Sequence, residues 1–210
     1  MKVIPFDKQC IDDKCIDLNG PNIHTRAYPG QDSVVYHNIE TDKAIHVYNN
    51  MIDFDRALLY AQCVNDAAQF LITRPFSHNV RFEELQYSID IHVNPVEEVG
   101  EKLFTASDES IQRAYIVSPF VRGLSLCWPE QATDEEQRAV ARCCDVLLYD
   151  RINDYIETQS SVACVDINPV NVKYAIDRNE LKIKLTITDL AKCIGIVYPK
   201  DKSPDMFGTL

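Results

Sequence analysis

The sequence contains no uninterrupted apolar stretch approaching the roughly 20 residues that a membrane-spanning helix requires, and its opening, MKVIPFDKQC, lacks the apolar core of a signal peptide. These absences predict a cytoplasmic protein with no membrane span. No cluster of Lys and Arg is present to neutralise a run of phosphates, and the net charge is −11, which argues against a nucleic-acid partner. There is no C-x-x-C pair among Cys10, Cys15, Cys63, Cys127, Cys143, Cys144, Cys164 and Cys193. That spacing predicts reduced, buried thiols in a reducing compartment; Cys10 and Cys15 could join a metal site only with distant partners such as His24 or His37. Internal repeats, low-complexity tracts and Gly/Ser-rich linkers are missing too, so one domain is expected.

What is present is an ordinary globular composition: 210 residues, 46% hydrophobic and 25% charged, enough to bury a core. Residues Ile23 to Ala27 and Val34 to Val47 carry β-branched and aromatic side chains around turn signals at Pro29-Gly30 and Thr41-Asp42. They predict a small antiparallel sheet. From Asp53 to Thr73, the positions Phe54, Leu58, Ala61, Val64, Ala68 and Leu71 recur at three- and four-residue spacing, predicting an amphipathic helix stopped by Pro75. Gln86 to Val93 alternates as a strand; the residues between Asn94 and Gln112 give no clear assignment. Arg113 to Val121 reads as a buried strand running into Arg122-Gly123.

A capping box at Thr133-Asp-Glu-Glu136 predicts the start of a long helix, with Val140, Cys144, Leu147, Leu148, Ile152 and Tyr155 as its apolar stripe. The clearest pattern follows. Val172, Tyr174 and Ile176 alternate before the turn Asp177-Arg-Asn-Glu180, and Leu181, Ile183, Leu185 and Ile187 alternate after it, predicting a β-hairpin. Its two ends carry Asp166-Ile-Asn-Pro-Val-Asn171 and Asp189-Leu-Ala191, so the hairpin should bring two acidic motifs together. Mg²⁺ prefers oxygen donors and takes one or two carboxylates plus nucleotide phosphates, a role open to Asp189 and the amide oxygen of Asn171. Asp166 would then orient an attacking hydroxyl or accept its proton. Separately, each motif has a plainer reading: Asp166 as a turn cap, Asn171 as a turn residue after Pro169, Asp189 as a strand end, and Gly30 as a hairpin turn.

These residues resemble the protein-kinase family. Asp166 and Asn171 match the D-x-x-x-x-N catalytic loop, and Asp189-Leu-Ala191 matches the D-F-G triplet. Tyr28-Pro-Gly30-Gln-Asp-Ser33-Val-Val35-Tyr36 aligns with the Gly-rich loop, keeping its middle glycine and its valine. Lys43-Ala-Ile-His46-Val-Tyr48 resembles the V-A-I-K strand, with His46 where the family has its phosphate-binding lysine. The helix from Asp53 resembles αC but holds no glutamate, leaving Asp66 or Gln62 as the partner for His46. RAYIVSPFVRGLSL resembles the inter-lobe strand and hinge, and Cys164 replaces the histidine of H-R-D. Only 21 residues follow Asp189, a truncation like that of compact bacterial kinase-like proteins, some of them secreted effectors.

The resemblance implies an α+β, bilobal, kinase-like fold. A small antiparallel sheet with αC would form an N-lobe over about residues 1–121. A truncated, mainly helical C-lobe would occupy about 122–210. It implies an ATP- and Mg²⁺-dependent phosphotransferase acting on a protein Ser/Thr hydroxyl, with Asp166 catalytic, Asn171 and Asp189 on the metal, and Gly30, Ser33, His46 and Asp66 on the nucleotide side. The alternative is a pseudokinase that works as a protein-binding scaffold, and a third variant transfers the adenylyl group.

Overall fold

The computed structural model describes residues 1–4, 16–17, 23–24, 33–49, 52–106, 109–146, 151–163, 165–190 and 198–201. In chain order the elements begin with β1 (Lys2–Ile4), β2 (Ile16–Asp17), β3 (Ile23–His24), β4 (Ser33–Asn38), β5 (Lys43–Tyr48) and helix α1 (Phe54–Thr73). There follow β6 (His78–Phe82), β7 (Leu85–Val93), β8 (Glu98–Ala106), β9 (Glu109–Pro119) and β10 (Leu124–Ser125). Helices α2 (Glu135–Val146) and α3 (Asn153–Gln159) precede β11 (Val162–Ala163), β12 (Val172–Asp177), β13 (Lys182–Ile187) and β14 (Tyr198–Pro199). No described helix is long and apolar enough to cross a membrane.

The first sheet has the order β1-β8-β9-β5-β4-β3, with β2 also on β8. Hairpins β4–β5 and β8–β9 form it by local pairing, and β9 joins them by running antiparallel to β5, with His46 opposite Ile116. β1 lies parallel to β8 so closely that a Cβ on Gly100 would sit 2.6 Å from the Ile4 carbonyl oxygen. Only glycine fits that crossing. One face of this sheet carries Tyr48, Val99, Ala114 and Ile116 into the main core, while Ile45, Val47, Phe104 and Tyr115 form a second, smaller cluster on the other.

The second sheet has the order β10-β12-β13-β7-β6. Here β7 and β13 run parallel, from Lys182 opposite Ser88 to Ile187 opposite Val93. Tyr87, Ile89, Ile91 and Val93 of β7 are buried, as are Ile183, Leu185 and Ile187 of β13. The two-residue β6–β7 turn puts Glu83 and Glu84 at φ of 49° and 62°, the left-handed pair a tight hairpin requires and a strained conformation for glutamate. Arg178, from the neighbouring β12–β13 turn, pairs with Glu83 at 3.0 Å and with Glu136 of α2 at 2.5 Å.

Helix α1 lies against both sheets, contacting β7, β8 and β9. Asp53 caps its start by accepting from the Arg56 N–H at 2.9 Å, and the Arg74 N–H closes its end on the Phe70 carbonyl. Of the expected stripe, Ala61, Val64, Ala68 and Leu71 are buried and Phe54 and Leu58 are partly so; Ala57, Tyr60 and Ala67 complete the inner face. The helix also fixes the crossing between sheets. Asn65 donates to the Val96 carbonyl at 3.0 Å and accepts from the Val96 N–H at 2.9 Å, clamping the segment between β7 and β8. Asn94, 8% exposed, ties the same segment to the ends of β13 and β9 through Ile187 and Pro119.

The expected bilobal fold with a mainly helical C-lobe is not what the chain forms. Beyond residue 121 the described helices are the 12 residues of α2 and the 7 of α3, beside a sheet that takes β6 and β7 from the preceding half. The main core is continuous across that point, drawing residues from α1, β7, β12, β13, α2 and α3. The physical cause is β7. Its alternating Tyr87, Ile89, Ile91 and Val93 bury one face, and the edge of β13 offers them a parallel partner, so the strand belongs to the second sheet. The helix expected from Thr133 starts one residue later than the proposed box: Asp134 accepts from the Gln137 N–H at 2.7 Å, and Gln137 accepts from the Thr133 N–H at 2.8 Å. Leu147 and Leu148 lie outside the described residues.

Candidate functional site

The β12–β13 hairpin forms as its alternation predicts, with Val172 opposite Ile187 and Asp177 opposite Lys182. Asp177 accepts from the N–H groups of Asn179 and Glu180, each at 3.0 Å, which tightens the turn. At the open end the two flanking motifs continue side by side. The Thr188 N–H donates to the Asn171 carbonyl at 2.7 Å, and the Asp166 N–H donates to the Leu190 carbonyl at 2.9 Å. Asp189 is held between these two rungs. The hairpin thus brings Asp166, Asn171 and Asp189 to one place, on segments 165–171 and 188–190.

The loop before β12 is shaped by alternation. Val165, Ile167 and Pro169 are buried, while Asp166 is exposed and Asn168 half-buried. Helix α3 braces it, Glu157 accepting from the Val165 N–H at 2.6 Å and Asn153 from the Ile167 N–H at 3.3 Å. Asn168 caps the single helical turn Pro169–Asn171 by accepting from the Val170 N–H at 3.2 Å. Thr188 Oγ1 adds a bond to the Asn171 carbonyl at 2.8 Å, leaving the Asn171 backbone fixed and its side-chain amide uninvolved in that rung.

Asp189 is half-buried and its partner comes from α1. The Tyr60 hydroxyl donates to Asp189 Oδ1 and accepts from the Leu190 N–H at 3.1 Å. Tyr60 is only 3% exposed. Burial pushes its phenol well above the usual tyrosine range, and the nearby charge of Asp189 and the ionisable hydroxyl of Tyr48 on β5 push the same way. Tyr60 is therefore a neutral donor at physiological pH. Sequence reasoning passed over it, although a tyrosine on the inner face of an apolar helix carries a hydroxyl that must find a buried partner.

The nucleotide-side residues are less united. Gly30 lies outside the described residues. Ser33 opens β4, paired with Tyr48, and is half-buried. His46 sits in the middle of β5, flanked by Val35 and Ile116, on the same face as Tyr48. Burial lowers its pKa to about 4. The imidazole is thereby held uncharged at neutral pH. Asp66 is exposed on α1 and accepts from Ser161 Oγ at 3.2 Å, beside β11. Gln62, on the same helix, is also exposed.

The donor set suits a hard divalent cation. Asp189 and the amide of Asn171 offer oxygen donors on backbone segments locked by hydrogen bonds, and a cation held by one carboxylate and one amide would keep coordination positions for nucleotide phosphates and water. Among the described residues no three His, Cys, Asp or Glu side chains form a metal cage of their own. Cys63, Cys127, Cys143 and Cys144 are free thiols, and Cys10 and Cys15 lie outside the described residues. No protein-family model matches the chain, and no curated protein matches it.

Proposed function

We propose that the chain is an ATP- and Mg²⁺-dependent phosphotransferase acting on a hydroxyl, a protein Ser/Thr hydroxyl by its resemblance to protein kinases. The observation that carries this reading is the double rung, Thr188 to Asn171 and Asp166 to Leu190, which sets Asp166, Asn171 and Asp189 at one end of a rigid hairpin. In this reading Asn171 and Asp189 hold the metal and Asp166 orients the acceptor hydroxyl and takes its proton. The bound metal would offset phosphate charge. With His46 neutral, that task falls almost wholly on the metal side, so nucleotide binding should be strongly Mg²⁺-dependent.

The same neutrality favours a second reading, a nucleotide-binding scaffold without turnover, because His46 is uncharged and the lysine that β5 does carry, Lys43, is paired with Glu97 at 2.7 Å. A thermal-shift titration separates the first reading from chance. ATP with Mg²⁺ should raise the melting temperature, about 2.7 kcal/mol of stabilisation being expected at a hundredfold excess over Kd. Asp189→Asn should abolish the shift, since its amide oxygen still accepts from Tyr60 but the charge is gone. No shift of the native chain at millimolar ATP and Mg²⁺ would sink both nucleotide readings. A shift without transfer of the γ-phosphate to any hydroxyl would leave the scaffold.

A further inference from the structure

We infer that Tyr60 is a positioning residue for the metal side of this site: its phenol, carried on α1, sets the Asp189 carboxylate in the orientation that receives a divalent cation. The inference rests on the phosphotransferase reading and deepens it, because it makes cation affinity depend on where α1 sits.

The argument is one of donors and acceptors. A phenol has one proton and accepting lone pairs. Tyr60 gives its proton to Asp189 Oδ1 and takes the N–H of Leu190, so a single oxygen fixes both a side chain and the backbone immediately after it. Rotating the carboxylate away breaks the first bond, and shifting the 189–190 peptide breaks the second. The ring has little freedom of its own: Ala57, Ala61 and Val64 beside it on α1 are buried, and Leu190 below is fully enclosed. The middle of the helix is held independently by the two Asn65 bonds to Val96. The α1 backbone is therefore a fixed reference against which Asp189 is set. Partners of this kind, which orient a ligand without touching the ion, typically change metal affinity by 10–100-fold when removed.

Mg²⁺ is titrated at fixed ATP with the melting temperature as readout, for the native chain and Tyr60→Phe. The ring is kept and only the hydroxyl is lost. The expected result is an unchanged maximal shift with a half-saturating Mg²⁺ concentration about tenfold higher in the variant. A lower ligand-free melting temperature with an unchanged half-saturation point would overturn the inference, leaving Tyr60 a cap for the Leu190 N–H alone. If the native chain shows no Mg²⁺-dependent shift, the phosphotransferase reading itself fails and the inference falls with it. A second measurement needs no variant. In native protein labelled at the tyrosine ring carbons, the Tyr60 signal should move during the same Mg²⁺ titration with the same midpoint. A Tyr60 signal that stays put while the melting temperature rises would overturn the inference, even if Tyr60→Phe fails to fold.

Discussion

The metal half of the candidate site and its nucleotide half are built over different ranges of the chain. Asp166, Asn171 and Asp189 lie within 24 residues of one another, on the two segments that flank one hairpin and continue its pairing through two further backbone bonds. Ser33, His46 and Asp66 are spread over β4, β5 and α1, and each has its own partners: Ser33 faces Tyr48, His46 is half-buried between Val35 and Ile116, and Asp66 is engaged by Ser161. A site half assembled by local pairing inherits its geometry from the turn. One assembled from separate elements depends on how those elements pack, and here they pack around an uncharged histidine. The comparison teaches that motif order along a chain is a good guide to which residues lie side by side where one hairpin joins the motifs and a poor one where tertiary packing must.

After loss of Mg²⁺-ATP binding in Asp189→Asn, the largest effect should come from Asp166→Asn. Asp166 is exposed and fixed by its backbone N–H, so the substitution leaves the loop intact. Phosphoryl transfer should fall by roughly 10²–10⁴-fold, the usual contribution of a positioned general base. The Mg²⁺-dependent melting shift should persist. Kinetics of γ-phosphate transfer beside the thermal-shift curve check this, and parallel loss of both signals would merge Asp166 with the metal ligands, breaking the division of roles within the metal half.

How much of this was legible in the sequence follows the same division. The hairpin, the bounds of α1 to within a residue and the strand character of β7 and β9 came from periodicity, which local geometry obeys. The sheet to which β7 belongs did not, because its parallel pairing with β13 joins residues nearly a hundred positions apart, and alternation names no partner. That one pairing overturned the two-lobe expectation. At the candidate site, the juxtaposition of Asp166, Asn171 and Asp189 was legible because the hairpin that unites them is itself a sequence pattern. Tyr60 was not, since it is 129 residues from Asp189 and its role exists only once α1 lies against the hairpin. The depressed pKa of His46 was not legible for a related reason: the shift comes from burial, and burial is a tertiary property.

A pH experiment sharpens the nucleotide half. Unfolded His46 titrates near 6.5 and folded His46 at about 4, so between these values the unfolded chain binds the proton first. The stability that neutral burial allows is fully present above pH 6.5 and is eroded as pH falls toward 4, by roughly 3 kcal/mol in all. Urea denaturation of the native chain and His46→Gln across this window should show the native chain losing more stability, the difference between the two growing as pH drops. Equal slopes would mean that His46 charges in the folded state, restoring it as a candidate phosphate contact.

The smallest effect belongs to Asp66. Its one described side-chain bond, from Ser161 Oγ at 3.2 Å, is between exposed groups, and a surface interaction of that kind contributes little. Asp66→Ala should change stability by no more than about 0.5 kcal/mol and leave the Mg²⁺ half-saturation point where it is. The contrast with Tyr60→Phe is the informative part. Both residues stand on α1, six positions apart, and the motif alignment with αC points to Asp66 or Gln62, whereas the hydrogen bonds point to Tyr60. If Asp66→Ala shifts the Mg²⁺ dependence and Tyr60→Phe does not, α1 communicates with the site through the face the alignment chose, and the hydrogen-bonded route through Asp189 is wrong.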